Sequence, residues 1–150
     1  MNILIVDDEE SYRILLGSFL REHGWKVFSA ANGEEAMKVL RAEIIDFIIS
    51  DVYMPVMDGL KFHRQVMAMP EYAHIPFLFV SGFDDEATMQ AVRLSKNTGF
   101  MRKTSSPNEL KAWIQYLQMP PDTRPRTRPD AGAKAETVDR SRGRMRDVRR

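Results

Sequence analysis

The stretch Asp46-Phe47-Ile48-Ile49-Ser50-Asp51-Val52-Tyr53-Met54-Pro55-Val56-Met57-Asp58-Gly59 decides the fold. Its apolar run, Phe47 to Ile49, stops at a carboxylate, Asp51, and a Met-Pro pair and Asp58-Gly59 follow. A short apolar run bounded by polar and turn residues reads as a buried strand. Asp51 then stands where the strand leaves the core. In open parallel sheets, ligands bind at the carboxyl ends of strands. Taken alone, the stretch favours a plain loop cap at Asp51. The rest of the chain decides the matter.

Upstream, Ile3 to Val6 is an unbroken aliphatic run, a strand buried on both faces, and it ends at Asp7-Asp8-Glu9-Glu10. Tyr12, Leu15, Leu16, Phe19 and Leu20 then recur at helical spacing up to Gly24. Lys26 to Ala30 reads as a second strand. Asn32-Gly33 is a turn, and Glu34-Glu35 suits a first helical turn. Downstream, Leu60, Phe62, Val66 and Met67 mark a helix ended near Pro70, and Ile75 to Val80 is a fourth strand ending at Ser81. Asp84-Asp85-Glu86 starts a helix carrying Ala87, Ala91, Val92 and Leu94. Asn97 to Gly99 reads as a turn, and Phe100-Met101 as a short fifth strand ending at Lys103. Ser106-Pro107 opens a last helix with Leu110, Trp113, Ile114 and Leu117 on one side. Five strands alternating with five helices predict an α/β fold, a doubly wound parallel sheet covered on both faces.

The bulk numbers narrow the class. A chain of 150 residues, 43% hydrophobic, has room for one domain and some extra. With no cysteine, disulfides, zinc-thiolate sites and thiol nucleophiles are excluded. No run has the length of a membrane span, and the expectation is a soluble, cytoplasmic protein. The net charge of +1 hides an asymmetry: residues 1–118 carry 12 Lys/Arg and 16 Asp/Glu, and residues 119–150 carry 10 and 5. The second part has four prolines and nine arginines. It buries too little apolar surface to offset chain entropy, so 119–150 is expected to be a disordered basic tail.

Strand ends share a chemical theme. Strand 1 ends at Asp7-Asp8, strand 3 at Asp51, strand 4 at Ser81 and strand 5 at Lys103, all on one edge of a parallel sheet. Three close carboxylates repel one another unless positive charge sits among them. Oxygen ligands without sulfur or imidazole suit a hard cation, Mg²⁺ above others. A metal, a lysine and a hydroxyl around one carboxylate are the parts that stabilise a transferring phosphoryl group, with the carboxylate as nucleophile.

In these motifs the chain resembles the receiver domain of two-component response regulators, over about residues 1–118. The resemblance implies a flavodoxin-like sheet in the order 2-1-3-4-5. It implies Asp51 as phosphoacceptor, Asp7, Asp8, Asp51 and the backbone carbonyl of Tyr53 as the Mg²⁺ site, and Lys103 beside the phosphoryl group. Ser81 and Phe100 match a switch pair. The implied partners are a histidine kinase or phosphotransfer protein, and an output protein on the face of helix 4, strand 5 and helix 5. No output domain follows, so the expectation is a stand-alone signalling receiver, not an enzyme in the turnover sense. A phosphatase with an aspartate nucleophile is the alternative; Tyr53 occupies the place where such enzymes often carry a second acid. Nucleic-acid binding through the tail is a further possibility, weakened by the lack of aromatic residues there.

Two departures stand out. Thr104, not proline, follows Lys103, and a cis bond without proline costs about 2.5–4 kcal/mol, so this bond is expected to be trans. Tyr53 and Phe83 are bulky where small or polar groups would admit an attacking water, which predicts a long-lived phosphoryl group.

Overall fold

The computed structural model describes residues 1–129. In chain order the elements are β1 (Asn2–Val6), α1 (Glu10–Glu22), β2 (Lys26–Ala30), α2 (Gly33–Ala42), β3 (Phe47–Ser50), α3 (Gly59–Ala68), β4 (Phe77–Ser81), α4 (Glu86–Arg93), β5 (Thr98–Arg102) and α5 (Pro107–Gln118). All five strands are parallel, in the order β2-β1-β3-β4-β5. This is the doubly wound, flavodoxin-like arrangement expected.

Strand periodicity splits the core into two layers. Leu4, Val6, Ile48, Phe77, Phe79 and Phe100 pack with Met37 and Leu40 of α2, Phe62 and Val66 of α3 and Val92 of α4. Ile3, Ile5, Ile49, Leu78, Val80 and Met101 pack with Leu16 and Leu20 of α1 and Trp113, Ile114 and Leu117 of α5. Burying each such side chain contributes roughly 1.5–3 kcal/mol, which explains why the strands read as continuous apolar runs.

Four helices start on a side-chain cap: Asn32 accepts from the Glu35 N–H, Asp58 from Lys61, Asp85 from Thr88 and Ser106 from Glu109. Each cap contributes about 1 kcal/mol. Helix α1 is different. Its cap residue, Glu9, makes no capping bond, and its carboxylate lies 3.5 Å from the Lys103 ammonium instead. Gly24, at φ 82°, ends the turn after α1, a conformation that costs glycine least.

Tertiary packing overrides local sequence signals in several places. Thr98 and Gly99, expected in a turn, belong to β5. A Cβ on Gly99 would lie 2.5 Å from the Trp113 ring, so this glycine makes room for an indole and does not mark a turn. Strand β4 begins at Phe77, after Pro76, and not at Ile75. Leu15 and Leu94, expected on apolar faces, are 68% and 80% exposed. The Lys103–Thr104 bond is trans, as is every peptide bond among the described residues.

The expectation of a disordered tail from Met119 onward does not hold for residues 119–129. Pro121–Thr123 form a 3₁₀ turn, and Arg124 and Arg128 reach back to α5, β5 and the turn before β5. The rest of that expectation, residues 130–150, lies outside the described residues. No helix among the described residues is long and apolar enough to cross a membrane.

Candidate functional site

Parallel strands bring their carboxyl ends to one edge, and the topology does the rest. β1 lies between β2 and β3, so Asp7 and Asp8 stand beside Asp51. One carboxylate oxygen from each of Asp7, Asp8 and Asp51 lies within 4.8 Å of the other two. Asp7 and Asp51 are buried and Asp8 is exposed, so the cluster opens to solvent on the Asp8 side. An all-oxygen set of this size, open on one side, fits a small hard cation that keeps part of its water shell.

Lys103 enters from the end of β5. Its Nζ lies 2.8 Å from Asp7 Oδ2, 3.0 Å from Asp51 Oδ2 and 3.5 Å from Glu9 Oε1. The other oxygens of the two buried acids are also satisfied: Asp7 Oδ1 accepts from the Glu9 N–H at 2.9 Å, and Asp51 Oδ1 from the Val52 N–H at 2.7 Å. Burial pushes the Asp7 carboxyl above its usual range, against the pull of Lys103 and the Glu9 N–H, and the Asp51 charge pushes the same way. For Lys103 burial acts to lower the pKa. Its hydrogen bonds to Asp7 and Asp51 outweigh that and hold it above the usual lysine range, so the ammonium stays charged.

The loop from Asp51 to Gly59 is folded tightly on itself. The Gly59 N–H donates to the Val52 carbonyl at 2.7 Å, and the Met57 N–H to Pro55 at 2.8 Å. The latter closes a γ-turn on Val56, whose φ of 69° is strained for a β-branched residue. Met57 also accepts from the Gly33 N–H, which ties the loop to the start of α2.

Ser81 is buried at the end of β4, where its Oγ accepts from the Phe83 N–H at 3.3 Å. Phe100 is 6% exposed and lies in the core layer of α2, α3 and α4. The Tyr53 side chain stands over the loop edge, 52% exposed. Its ring meets Phe83 edge-on at 6.1 Å, and its hydroxyl donates to Asp85.

Sequence reasoning misses three neighbours. Glu9 reads only as part of an acidic run, Tyr12 as core and Asp85 as the start of a helix. The Tyr12 ring lies 4.7 Å from Lys103 Nζ, and burial first of all pushes its hydroxyl up to about 12. Asp85 caps α4 with one oxygen and takes the Tyr53 hydroxyl with the other. The only sequence signal for Tyr12 is its place in the first turn of α1, just after the acidic run.

A parallel sheet with buried acids and a lysine gathered at its strand ends defines a phosphoryl- or metal-binding class of α/β domain. Similarity to known proteins narrows the class to a family. A profile of the response regulator receiver domain matches residues 3–115. A probable chemotaxis protein CheY from Rhizobium etli is 33% identical over 119 residues, covering 78% of this chain and 92% of that protein. The structure of chemotaxis protein CheY4 of Vibrio cholerae superposes with a TM-score of 0.71 at 32% identity, over 77% of this chain and 97% of that one. Response regulator TrrA of Thermotoga maritima, crystallised in complex with Mg²⁺ and BeF, gives 0.66 at 28% identity, over 77% and 97%. The chain belongs to the response regulator receiver family of two-component systems. It spans only 45% and 17% of two other curated relatives, so the receiver is the part shared with them.

Proposed function

We propose that this receiver accepts a phosphoryl group on Asp51 from a histidine kinase or phosphotransfer protein and passes the signal on through protein contacts. The observation that carries this reading is the position of Lys103, which touches Asp51 and Asp7 at one open edge of the sheet beside Asp8. An oxygen of Asp51 attacks phosphorus, the bond to the donor histidine nitrogen breaks, and the electron pair leaves with that imidazole. Lys103 meets the charge on the phosphoryl oxygens. Asp7, Asp8, Asp51 and the Tyr53 carbonyl would hold Mg²⁺, which neutralises phosphoryl charge and helps to align the transfer.

In this reading Ser81 gives up the Phe83 N–H and turns its hydroxyl to a phosphoryl oxygen, with Phe100 as the aromatic that follows it. Exposed Ile14 and Leu15 on α1 offer an apolar surface for the donor protein. The α4–β5–α5 face serves the output. The chemistry is that of a signalling phosphoacceptor and not of a turnover enzyme.

The test is direct. Incubation with Mg²⁺ and acetyl phosphate is expected to add one phosphoryl group by mass, and Asp51→Asn is expected to show none. An adduct of equal extent in Asp51→Asn would overturn the assignment.

In this reading the rings of Tyr53 and Phe83, which meet edge-on, shield the phosphoryl group from water, with the Tyr53 hydroxyl held by Asp85. Opening the shield with Tyr53→Asn or Phe83→Glu is expected to hasten dephosphorylation on the order of tenfold, less than the roughly 10²-fold or more that a fully positioned acid or base contributes, because the new group only admits and orients water. Unchanged phosphoryl half-lives in both variants would show that the two rings do not gate water.

A further inference from the structure

We propose that the corner of the α4–β5–α5 face formed by the end of α5, the turn before β5 and the start of β5 has a resident occupant, the chain's own segment 119–129, and that phosphorylation of Asp51 releases it. The release rests on the receiver reading above; the docking stands on contacts alone.

Two arginines four residues apart make the contact. Arg124 donates from Nε to the Met119 carbonyl at 2.9 Å and from Nη2 to the Leu117 carbonyl and Asn97 Oδ1, both at 3.1 Å. Its Nη1 donates to the Lys96 carbonyl. One guanidinium thus joins the end of α5 to the turn before β5, and it takes carbonyls that a helix end leaves without partners. Arg128 donates from Nη2 to the Thr98 carbonyl at 2.8 Å. Its guanidinium lies 4.9 Å from the Trp113 ring and 5.9 Å from Tyr116. β5 is an edge strand, and Thr98 is its first residue, so Arg128 covers part of an edge that would otherwise face solvent. A cation over two rings and a fan of carbonyls is a fitted receptor for an Arg-x-x-x-Arg segment. An output partner that uses this corner must displace the segment, most directly with an extended segment bearing the same arginine pair.

The link to the site runs along β5. Thr98 at its start carries Arg128, and Lys103 just past its end holds Asp51 and Asp7. Phosphorylation adds charge beside Lys103 and draws Ser81 off the Phe83 N–H, which moves the ends of β4 and β5. The arginine contacts need α5, the turn before β5 and β5 itself in their present places. The segment therefore binds one arrangement better than the other, and that differential affinity is all a population shift requires.

The test uses the full chain with Trp25→Phe, so that Trp113 is the one tryptophan. Adding Mg²⁺ and beryllium fluoride is expected to raise iodide quenching of Trp113 and to speed exchange of the Thr123 and Arg124 amides about tenfold, within the ordinary range of coupling between sites. Arg124→Ala with Arg128→Ala is expected to show the same exposure without the phosphoryl mimic, and to bind the mimic tighter by the same factor, because coupling is reciprocal. Equal quenching in the double variant and its parent would overturn the docking. Unchanged exchange in a chain whose Asp51 adduct with acetyl phosphate is confirmed by mass would overturn the release alone. No adduct at all would remove the receiver reading and the release together.

Discussion

Lys103→Met is expected to slow phosphorylation by acetyl phosphate by about 10²- to 10³-fold while leaving the fold in place. The magnitude is that of removing one preorganised charge from a site where negative charge develops. Lys103 is the only cation within ion-pair distance of Asp7, Glu9 and Asp51 among the described residues. Methionine keeps a side chain of similar length and removes only the charged end, which lies 4.7 Å from the Tyr12 ring, so the loss reads charge more than volume. A second consequence separates this from a general defect. Without the ammonium, the acids repel one another at close range, and the melting temperature should become strongly dependent on Mg²⁺. It should also rise as the pH falls from neutral. Asp7 already has a folded pKa raised above 3.8 by burial, so the folded state takes up protons before the unfolded state does. The repulsion is fully present above the folded pKa and fades as pH falls through it. A variant that phosphorylates within about threefold of the parent, or melts alike with and without Mg²⁺, would remove Lys103 from the role given to it.

Gly59→Ala is expected to destabilise the domain by about 3 kcal/mol or more, the upper range for overpacking, because the obstacle is backbone and cannot swing aside. An added Cβ would lie 2.0 Å from the Asp51 carbonyl oxygen and 2.9 Å from the Val52 Cα. The Gly59 N–H bond to Val52 holds this approach, so relief requires breaking the bond that closes the loop. The same displacement moves Asp51, and Mg²⁺ affinity should fall with stability. Urea unfolding of Gly59→Ala beside Gly24→Ala separates the two causes: Gly24 has a φ of 82° with nothing within 4 Å of its Cβ position, whereas Gly59 has no positive φ and only the close approach. A Gly59→Ala loss no larger than that of Gly24→Ala would mean that the close approach is relieved without breaking the loop.

Much of this site is legible in the amino-acid sequence. Aliphatic runs that end in Asp7, Asp51, Ser81 and Lys103 specify buried parallel strands, and parallel strands put their ends on one edge. Capping by Asp58 and Ser106 is legible too, since caps are local. Glu9, Tyr12 and Asp85 are not, because their roles depend on what another strand or loop brings near them. Glu9 and Tyr12 matter through Lys103, far along the chain, and Asp85 through Tyr53.

The sequence by itself therefore determined the alternation of strands and helices, the two-sided core and the set of strand-end residues. Those follow from periodicity and local chemistry. Only the tertiary structure decided that Gly99 is a strand residue making room for Trp113, that Gly59 must lack a side chain, and that Arg124 and Arg128 belong to the domain. Each depends on how the chain closes on itself, within one tight loop for Gly59 and across segments for Gly99 and the arginines, where one atom too many or one guanidinium well placed outweighs the local preference.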